Sequence, residues 1–169
     1  MRVLGLDPGS RCCGFAWAEF QSGQVAELEL GSWILAAETR RERALALLAE
    51  QSETWIRARV TDVAVVESLF QHRNARSALV LAEARGVLLS VLGRIGVPLV
   101  EYPPATIKKT ICGFGGAGKE QVRDALMRTV PGLARFDIAR SGLDATDALA
   151  AAVCHHARCR YEALAGLPR

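Results

Sequence analysis

Short apolar runs and longer helical repeats alternate along this chain of 169 residues. The short runs are bounded by turn residues such as Gly9, Ser10 and Gly23, which is typical of buried strands. The first three runs follow one another closely, which predicts an antiparallel meander. The predicted strands cover residues 2–6, 13–20, 25–35, 63–66 and 99–102.

Helical repeats occupy the segments between and after the later strands. Thr39 and Glu42 have the spacing of a capping box, which predicts the start of a helix. A meander followed by strands that alternate with helices predicts an α/β fold, in which helices cover a mixed sheet. The length suits one domain over residues 1–169. The predicted helices cover residues 39–59, 74–95, 105–112, 119–129 and 144–161.

The predicted helix over residues 74–95 is apolar around nearly its whole circumference, so it is expected to be buried on more than one side. Gly86 and Gly93 lie seven residues apart on one face, where another backbone has room to approach. One interpretation is that this face meets a second copy of the protein. The other is that it packs under another helix of the same chain.

Composition limits the compartment and the partners. The net charge of +3 permits nucleic-acid binding without requiring it. The longest apolar stretch, residues 77–97, contains three charged side chains, which argues against a membrane span. The first apolar run reaches Asp7 too early for an export signal. Five cysteines, with Cys12 and Cys13 adjacent, indicate reduced thiols and a cytoplasmic location. The cysteines and histidines within residues 154–159 lack a standard zinc spacing.

Four carboxylates stand where apolar runs stop or a helix begins. Asp7 ends the first run and Glu67 ends the fourth, while Asp144 and Asp147 open the last helix and share one of its faces. Buried carboxylates are unfavourable unless a positive charge compensates them. Oxygen donors of this kind suit divalent cations, and two ions roughly 4 Å apart are typical of phosphodiester hydrolysis. The pattern therefore predicts metal-dependent phosphate chemistry.

Each acid also has an ordinary structural explanation. Asp7 precedes Pro8 and opens a common turn, and Glu67 can end a strand at the surface. Asp144 is a suitable helix N-cap, with Asp147 close to the positive end of the helix. The functional interpretation rests on all four acids occurring together.

A series of short motifs resembles the RuvC family of bacterial Holliday-junction resolvases. The matches follow one another over nearly the whole chain, and this order makes them specific. They are LGLDPGS at 4–10, VESLF at 66–70, EARG at 83–86, IKKT at 107–110, GFG at 113–115, GKEQV at 118–122 and DATDALA at 144–150.

The resemblance implies an RNase H-like fold with a five-stranded mixed sheet and helices on both faces. It implies a homodimer that resolves four-way DNA junctions by paired symmetric nicks in recombinational repair, together with the branch-migration proteins RuvA and RuvB. The implied cofactor is Mg²⁺, two ions per active site, with Mn²⁺ as a substitute. The implied catalytic and metal-binding residues are Asp7, Glu67, Asp144 and Asp147.

The resemblance also implies residues that contact DNA. Phe70 matches an aromatic residue that stacks on a base, and base stacking contributes about 1–3 kcal/mol. Lys108 and Lys119 match lysines that contact phosphates. The further candidates for DNA contacts are Arg73, Arg76 and Lys109.

Three other interpretations remain open on the sequence. Residues 113–119 fit the first seven positions of a P-loop, but Glu120 stands where a Ser or Thr should bind magnesium. An RNase H-like nuclease that processes structured RNA shares an early aspartate of this kind. A junction-binding module without catalysis is the third possibility. Cleavage assays on a DNA junction, a linear duplex and structured RNA distinguish the last two from a resolvase.

Overall fold

A five-stranded mixed sheet forms the centre of the computed structural model, which describes residues 1–35, 37–38, 40–68 and 75–166, without the side chains of 75–77 and 139. The spatial strand order is β3-β2-β1-β4-β5. The first three strands are antiparallel neighbours, whereas β4 runs parallel to β1 and β5 runs parallel to β4. The strands are β1 (Arg2–Asp7), β2 (Cys12–Gln21), β3 (Gln24–Ile34), β4 (Val63–Glu67) and β5 (Leu99–Tyr102).

Helices cover both faces of the sheet, as predicted. Side chains alternate along the strands, so Val3 and Val65 face one hydrophobic core while Leu4 and Leu6 face the other. The core around Leu4 is closed by α1 and α2, and the core around Val3 by α3, α4 and α5. The helices are α1 (Arg41–Arg57), α2 (Ala75–Ile95), α3 (Pro104–Cys112), α4 (Lys119–Thr129) and α5 (Gly142–Leu164), with 3-10 turns at Leu133–Arg135 and Ile138–Arg140.

Two helix starts differ from the prediction by two residues. Helix α1 begins at Arg41, and the side chain of its N-cap residue, Arg40, makes no capping hydrogen bond. Thr39 of the predicted capping box lies outside the described residues. Helix α5 begins at Gly142, two residues before the predicted start, because the 3-10 turn before it leads directly into the helix. Asp144 therefore lies inside the first turn of α5.

Two strand glycines allow α5 to lie directly against the sheet. A Cβ atom added to Gly5 would stand 1.8 Å from the carbonyl oxygen of Ala148. A Cβ atom added to Gly14 would stand 2.1 Å from the carbonyl oxygen of Asp144. Any side chain at these two positions would hold the helix away from the strands. The depth of α5, and hence of its acidic first turn, is set by this contact.

Helix α2 packs against a helix of the same chain on one side, as one of the two interpretations predicts. Leu88 and Leu92 are buried in the core that α1 also closes, so a helix of the same chain does cover one side. Gly86 and Gly93 lie on the other side, and no other described part of the chain approaches within 4 Å of a Cβ placed on either. That side is exposed. Across the described residues, no helix combines the length and the apolar character that a membrane crossing needs.

Candidate active site

Two of the predicted acids leave the sheet at the same edge. Asp7 is the last residue of β1 and Glu67 is the last residue of β4. These strands are parallel neighbours, and their register pairs Leu6 with Val66. Asp7 and Glu67 are the residues directly after this pair, so the two carboxylates lie side by side at the carboxyl ends of the strands. Sequence reasoning predicted this meeting from the positions of the acids.

The first turns of α5 bring the other two acids to the same place. Carboxylate oxygens of Asp7, Asp144 and Asp147 all lie within 4.8 Å of one another. Within the described ranges, these three form the one group of three or more potential metal ligands, so the cysteines and histidines of residues 154–159 do not gather into a zinc site. Glu67 stands beside the group, close enough for the charge of Asp147 to raise its pKa.

Burial and mutual repulsion disfavour the charged forms of these acids. Burial raises the pKa of Asp7 to about 7, and the charge of Asp147 adds to that rise. Burial is also the main reason that the pKa of Glu67 is raised. A cluster of this kind requires positive charge to ionise fully at neutral pH.

Lys119 supplies a positive charge within the cluster. Its Nζ atom lies 2.5 Å from Oδ2 of Asp147 and 3.6 Å from Oδ1 of Asp144. Burial lowers the pKa of Lys119, but the hydrogen bond to Asp147 and the neighbouring negative charges raise it above its usual value. The ammonium group shows that the arrangement accepts a cation between two of its carboxylates. The donor set consists of carboxylate oxygens, which are the ligands that hard divalent cations prefer.

Cys12 also contacts the cluster, and sequence reasoning missed it. Its thiol donates a hydrogen bond to Oδ2 of Asp144 at 2.7 Å. Burial and this hydrogen bond raise the pKa of the thiol to about 12, so it remains protonated at neutral pH. The strand register would have placed Cys12 close to Asp7, because β2 begins at Cys12 and pairs Gly14 with Asp7. Placing Cys12 beside Asp144 also requires the position of α5, which the sequence does not show.

Arg41 connects the turn after Asp7 to helix α2. Its guanidinium group donates to the carbonyl oxygens of Ser10 and Val80, at 3.4 Å and 2.6 Å, and forms an ion pair with Glu83 at 2.7 Å. Sequence reasoning assigned Arg41 no role. Its three partners lie in segments far apart in sequence, so no local pattern points to them.

The predicted DNA-contacting residues are only partly described. The positive charge of Lys108 opposes part of the rise in the pKa of Glu67. Lys109 follows it on α3 with an exposed side chain. Phe70 and Arg73 lie outside the described residues, and Arg76 lies within α2 with its side chain outside the description.

The P-loop interpretation is not supported by the structure. A P-loop connects a strand to a helix, whereas residues 113–118 connect α3 to α4. Lys119, which follows this segment, contacts the carboxylates of Asp144 and Asp147. Residue 120 is a glutamate, whereas a P-loop has a serine or threonine hydroxyl at this position.

Two acids lie at the ends of adjacent parallel strands, and two more lie on a helix that crosses the sheet. This arrangement is that of a metal-dependent nuclease of RNase H-like fold. A family model described as crossover junction endodeoxyribonuclease RuvC matches residues 3–155. The chain belongs to the RuvC family. Membership and the donor set together indicate dependence on a divalent metal ion.

Individual relatives agree with this assignment. The crossover junction endodeoxyribonuclease RuvC of Chloroflexus aurantiacus is 37% identical over 155 residues, which cover 92% of each chain. Among solved structures, Thermus thermophilus RuvC in complex with a Holliday junction substrate has a TM-score of 0.81 at 22% identity, over 95% of this chain and 96% of that one. The yeast mitochondrial Holliday junction resolvase Ydc2 has a TM-score of 0.65 at 12% identity, over 96% and 82%. These two structures confirm the predicted fold.

Proposed function

We propose that this protein is an endonuclease that resolves four-way DNA junctions by paired symmetric nicks during recombinational DNA repair. The observation that carries the proposal is the convergence of Asp7, Asp144 and Asp147, from two separate parts of the sequence, around the ammonium group of Lys119. Family membership favours a DNA junction over structured RNA as the substrate. The complete set of acids favours catalysis over junction binding alone.

The proposed metal ligands are Asp7, Glu67, Asp144 and Asp147, and the proposed cofactor is two Mg²⁺ ions, for which Mn²⁺ substitutes. When bound, the metal supplies activation of a water and stabilisation of the leaving 3′ oxygen. Asp144 and Asp147 present their oxygens from one rigid helix. Asp7 must release its proton to act as a ligand, since its pKa lies near neutrality. Lys119 must leave the carboxylates and is then available to a DNA phosphate.

The proposed DNA surface surrounds this cluster. Lys119 on α4 contacts Asp147, and the charge of Lys108 on α3 acts on Glu67, which supports a path of the scissile strand along both lysines. Phosphate contacts release condensed counterions, which makes such binding dependent on salt. Phe70 is the proposed base-stacking residue. The additional proposed contacts are Arg73, Arg76 and Lys109.

We propose a homodimer in which each protomer cuts one strand. The exposed side of α2 carries Leu79, Ala82, Gly86 and Gly93, which form an apolar stripe of mostly small residues. A second copy can approach closely there, because among the described residues nothing beyond the helix itself lies within 4 Å of a Cβ placed on either glycine. A monomer in size-exclusion chromatography with light scattering at micromolar concentration would exclude this dimer. The proposal includes one nuclease domain over residues 1–169, a cytoplasmic location, and RuvA and RuvB as partners.

The test compares cleavage of a mobile four-way DNA junction, a linear duplex and structured RNA, with and without Mg²⁺, and maps both nicks. Cleavage of the junction alone, with two symmetric nicks, is the expected result. Preferential cutting of RNA, or binding without cutting, would refute the proposal. The variants Asp7→Asn, Glu67→Gln, Asp144→Asn and Asp147→Asn should each abolish cutting while junction binding survives. Asp124→Asn, at an exposed acid on α4, is the matched control.

The lysines have a separate test. Lys108→Ala and Lys119→Ala should weaken junction binding and reduce the slope of its salt dependence by about one counterion each. Arg128→Ala, in the last turn of α4, is the control. A slope that stays the same in both lysine variants would show that neither side chain contacts a phosphate.

A further inference from the structure

The segment between α3 and α4, residues 113–118, presents an aromatic ring to solvent. Phe114 is 50% exposed, and it is the one exposed ring among the phenylalanines and tryptophans that the structure describes. Burying a phenylalanine side chain is favourable by about 1.5–3 kcal/mol. About half of this gain is lost at Phe114, although isolated exposed apolar residues are common on protein surfaces. Whether the exposed ring is functional therefore has to be judged from its surroundings.

The segment is anchored at both ends, so the ring is held outward by a defined structure. Gly113 ends α3 in the left-handed conformation, with φ at 84°, which turns the chain sharply away from the helix. Ala117 is fully buried in the core. The amide of Gly118 donates to the side chain of Gln121 at 2.8 Å and so fixes the start of α4. Between these anchors, a Cβ added to Gly116 would have only the Phe114 ring near it, at 4.0 Å.

Lys108 and Lys119 flank the same segment. Lys108 lies on α3 before it and influences Glu67, and Lys119 follows it and contacts Asp147. An exposed ring between two cationic side chains at the edge of a nuclease site has the composition of a stacking platform for unpaired bases. Tyr161 is exposed as well, but it lies near the end of α5, about four turns away from Asp147 along the helix axis.

We infer that Phe114 stacks on a nucleobase that is unpaired at the crossover of the junction, and so provides a base contact separate from that of Phe70. This inference rests on the proposed function. A four-way junction that is held open exposes base faces near the exchange point, whereas a continuous duplex does not. Phe114 therefore contributes to the preference for junctions, while the lysines contribute binding to any phosphate backbone.

The experiment uses junctions that carry the fluorescent base 2-aminopurine at successive positions around the crossover, bound to the full-length protein in an Asp7→Asn background. Stacking of 2-aminopurine on an aromatic ring quenches its fluorescence. Phe114→Leu should relieve quenching at one position and weaken junction binding about 5-fold to 150-fold, the range given by base stacking. Binding to a linear duplex and the salt slope should not change. Phe114→Trp should retain the quenching, and Tyr161→Ala is the matched control.

The outcomes separate this inference from the proposed function. If the unmodified protein does not cut junctions, the proposed function fails. If it does cut them, while Phe114→Leu binds the junction with unchanged affinity and unchanged fluorescence at every position, the role of Phe114 is refuted. An equal loss of affinity for junction and linear duplex also refutes it, because a ring that reads unpaired bases has no target in the duplex.

Discussion

Replacement of Asp7 by asparagine should stabilise the metal-free protein, by an amount that increases with pH. Burial and the charge of Asp147 raise the pKa of Asp7 from 3.8 to about 7 in the folded state. Between these two values the folded protein keeps a proton that the unfolded chain has released. Stability therefore falls as the pH rises through this window, and the penalty is complete above about pH 7.

The size of the effect follows from the two pKa values. The shift corresponds to a penalty of about 2 kcal/mol at pH 5 and about 4 kcal/mol at pH 8, as upper limits. Asparagine carries no charge, so Asp7→Asn should recover this free energy. Urea denaturation in EDTA at both pH values measures it, with Asp124→Asn as the control. A gain of equal size at pH 5 and pH 8 would refute the reasoning. Divalent metal should stabilise the unmodified protein more than the variant, because the variant has lost a ligand.

Three further predictions concern the contacts around the acids. Gly14→Ala should lower the free energy of unfolding in urea by about 1–3 kcal/mol and abolish cutting, because the added methyl group collides with the backbone of Asp144. Gly116→Ala, whose methyl group would make only an ordinary contact with the Phe114 ring, should leave stability nearly unchanged. Lys119→Met should bind Mn²⁺ about 2-fold to 5-fold more tightly in calorimetry, since the metal no longer displaces an ammonium group. Weaker binding would show that Lys119 and the metal do not compete for the carboxylates. Cys12→Val should lower kcat about 10-fold at unchanged KM, because the thiol orients the Asp144 carboxylate. Cys12→Ser keeps a hydrogen-bond donor and should restore kcat. Equal rates for both variants would show that the hydrogen bond has no such role.

The sequence predicted the sheet and the meeting of the acids because both follow from local patterns. Asp7 and Glu67 each end an apolar run, and parallel neighbours place such ends at one edge. The strand and helix boundaries lie within a few residues of those predicted. The order of the motifs then identified the family, which local patterns alone did not.

The contacts inside the site were beyond prediction for a physical reason. Cys12 and Asp144 are 132 residues apart, and they meet only because α5 crosses β1 and β2 at close range. That crossing depends on the absence of side chains at Gly5 and Gly14, which the sequence shows as two ordinary strand glycines. Lys119 was interpreted only as a phosphate contact, because its distance from Asp147 depends on the path of residues 113–118.

The backbone contact between α5 and the strands has a consequence for engineering. Main chain lies against main chain at Gly5 and Gly14, so the spacing between Asp7 on β1 and the two aspartates on α5 depends on these two glycines. Redesign of either core for heat tolerance must therefore keep hydrogen as the only substituent at those two positions. A graft that carries the spacing of Asp7, Asp144 and Asp147 into another scaffold needs β1, β2 and the first turns of α5 together, because their backbones lie against one another.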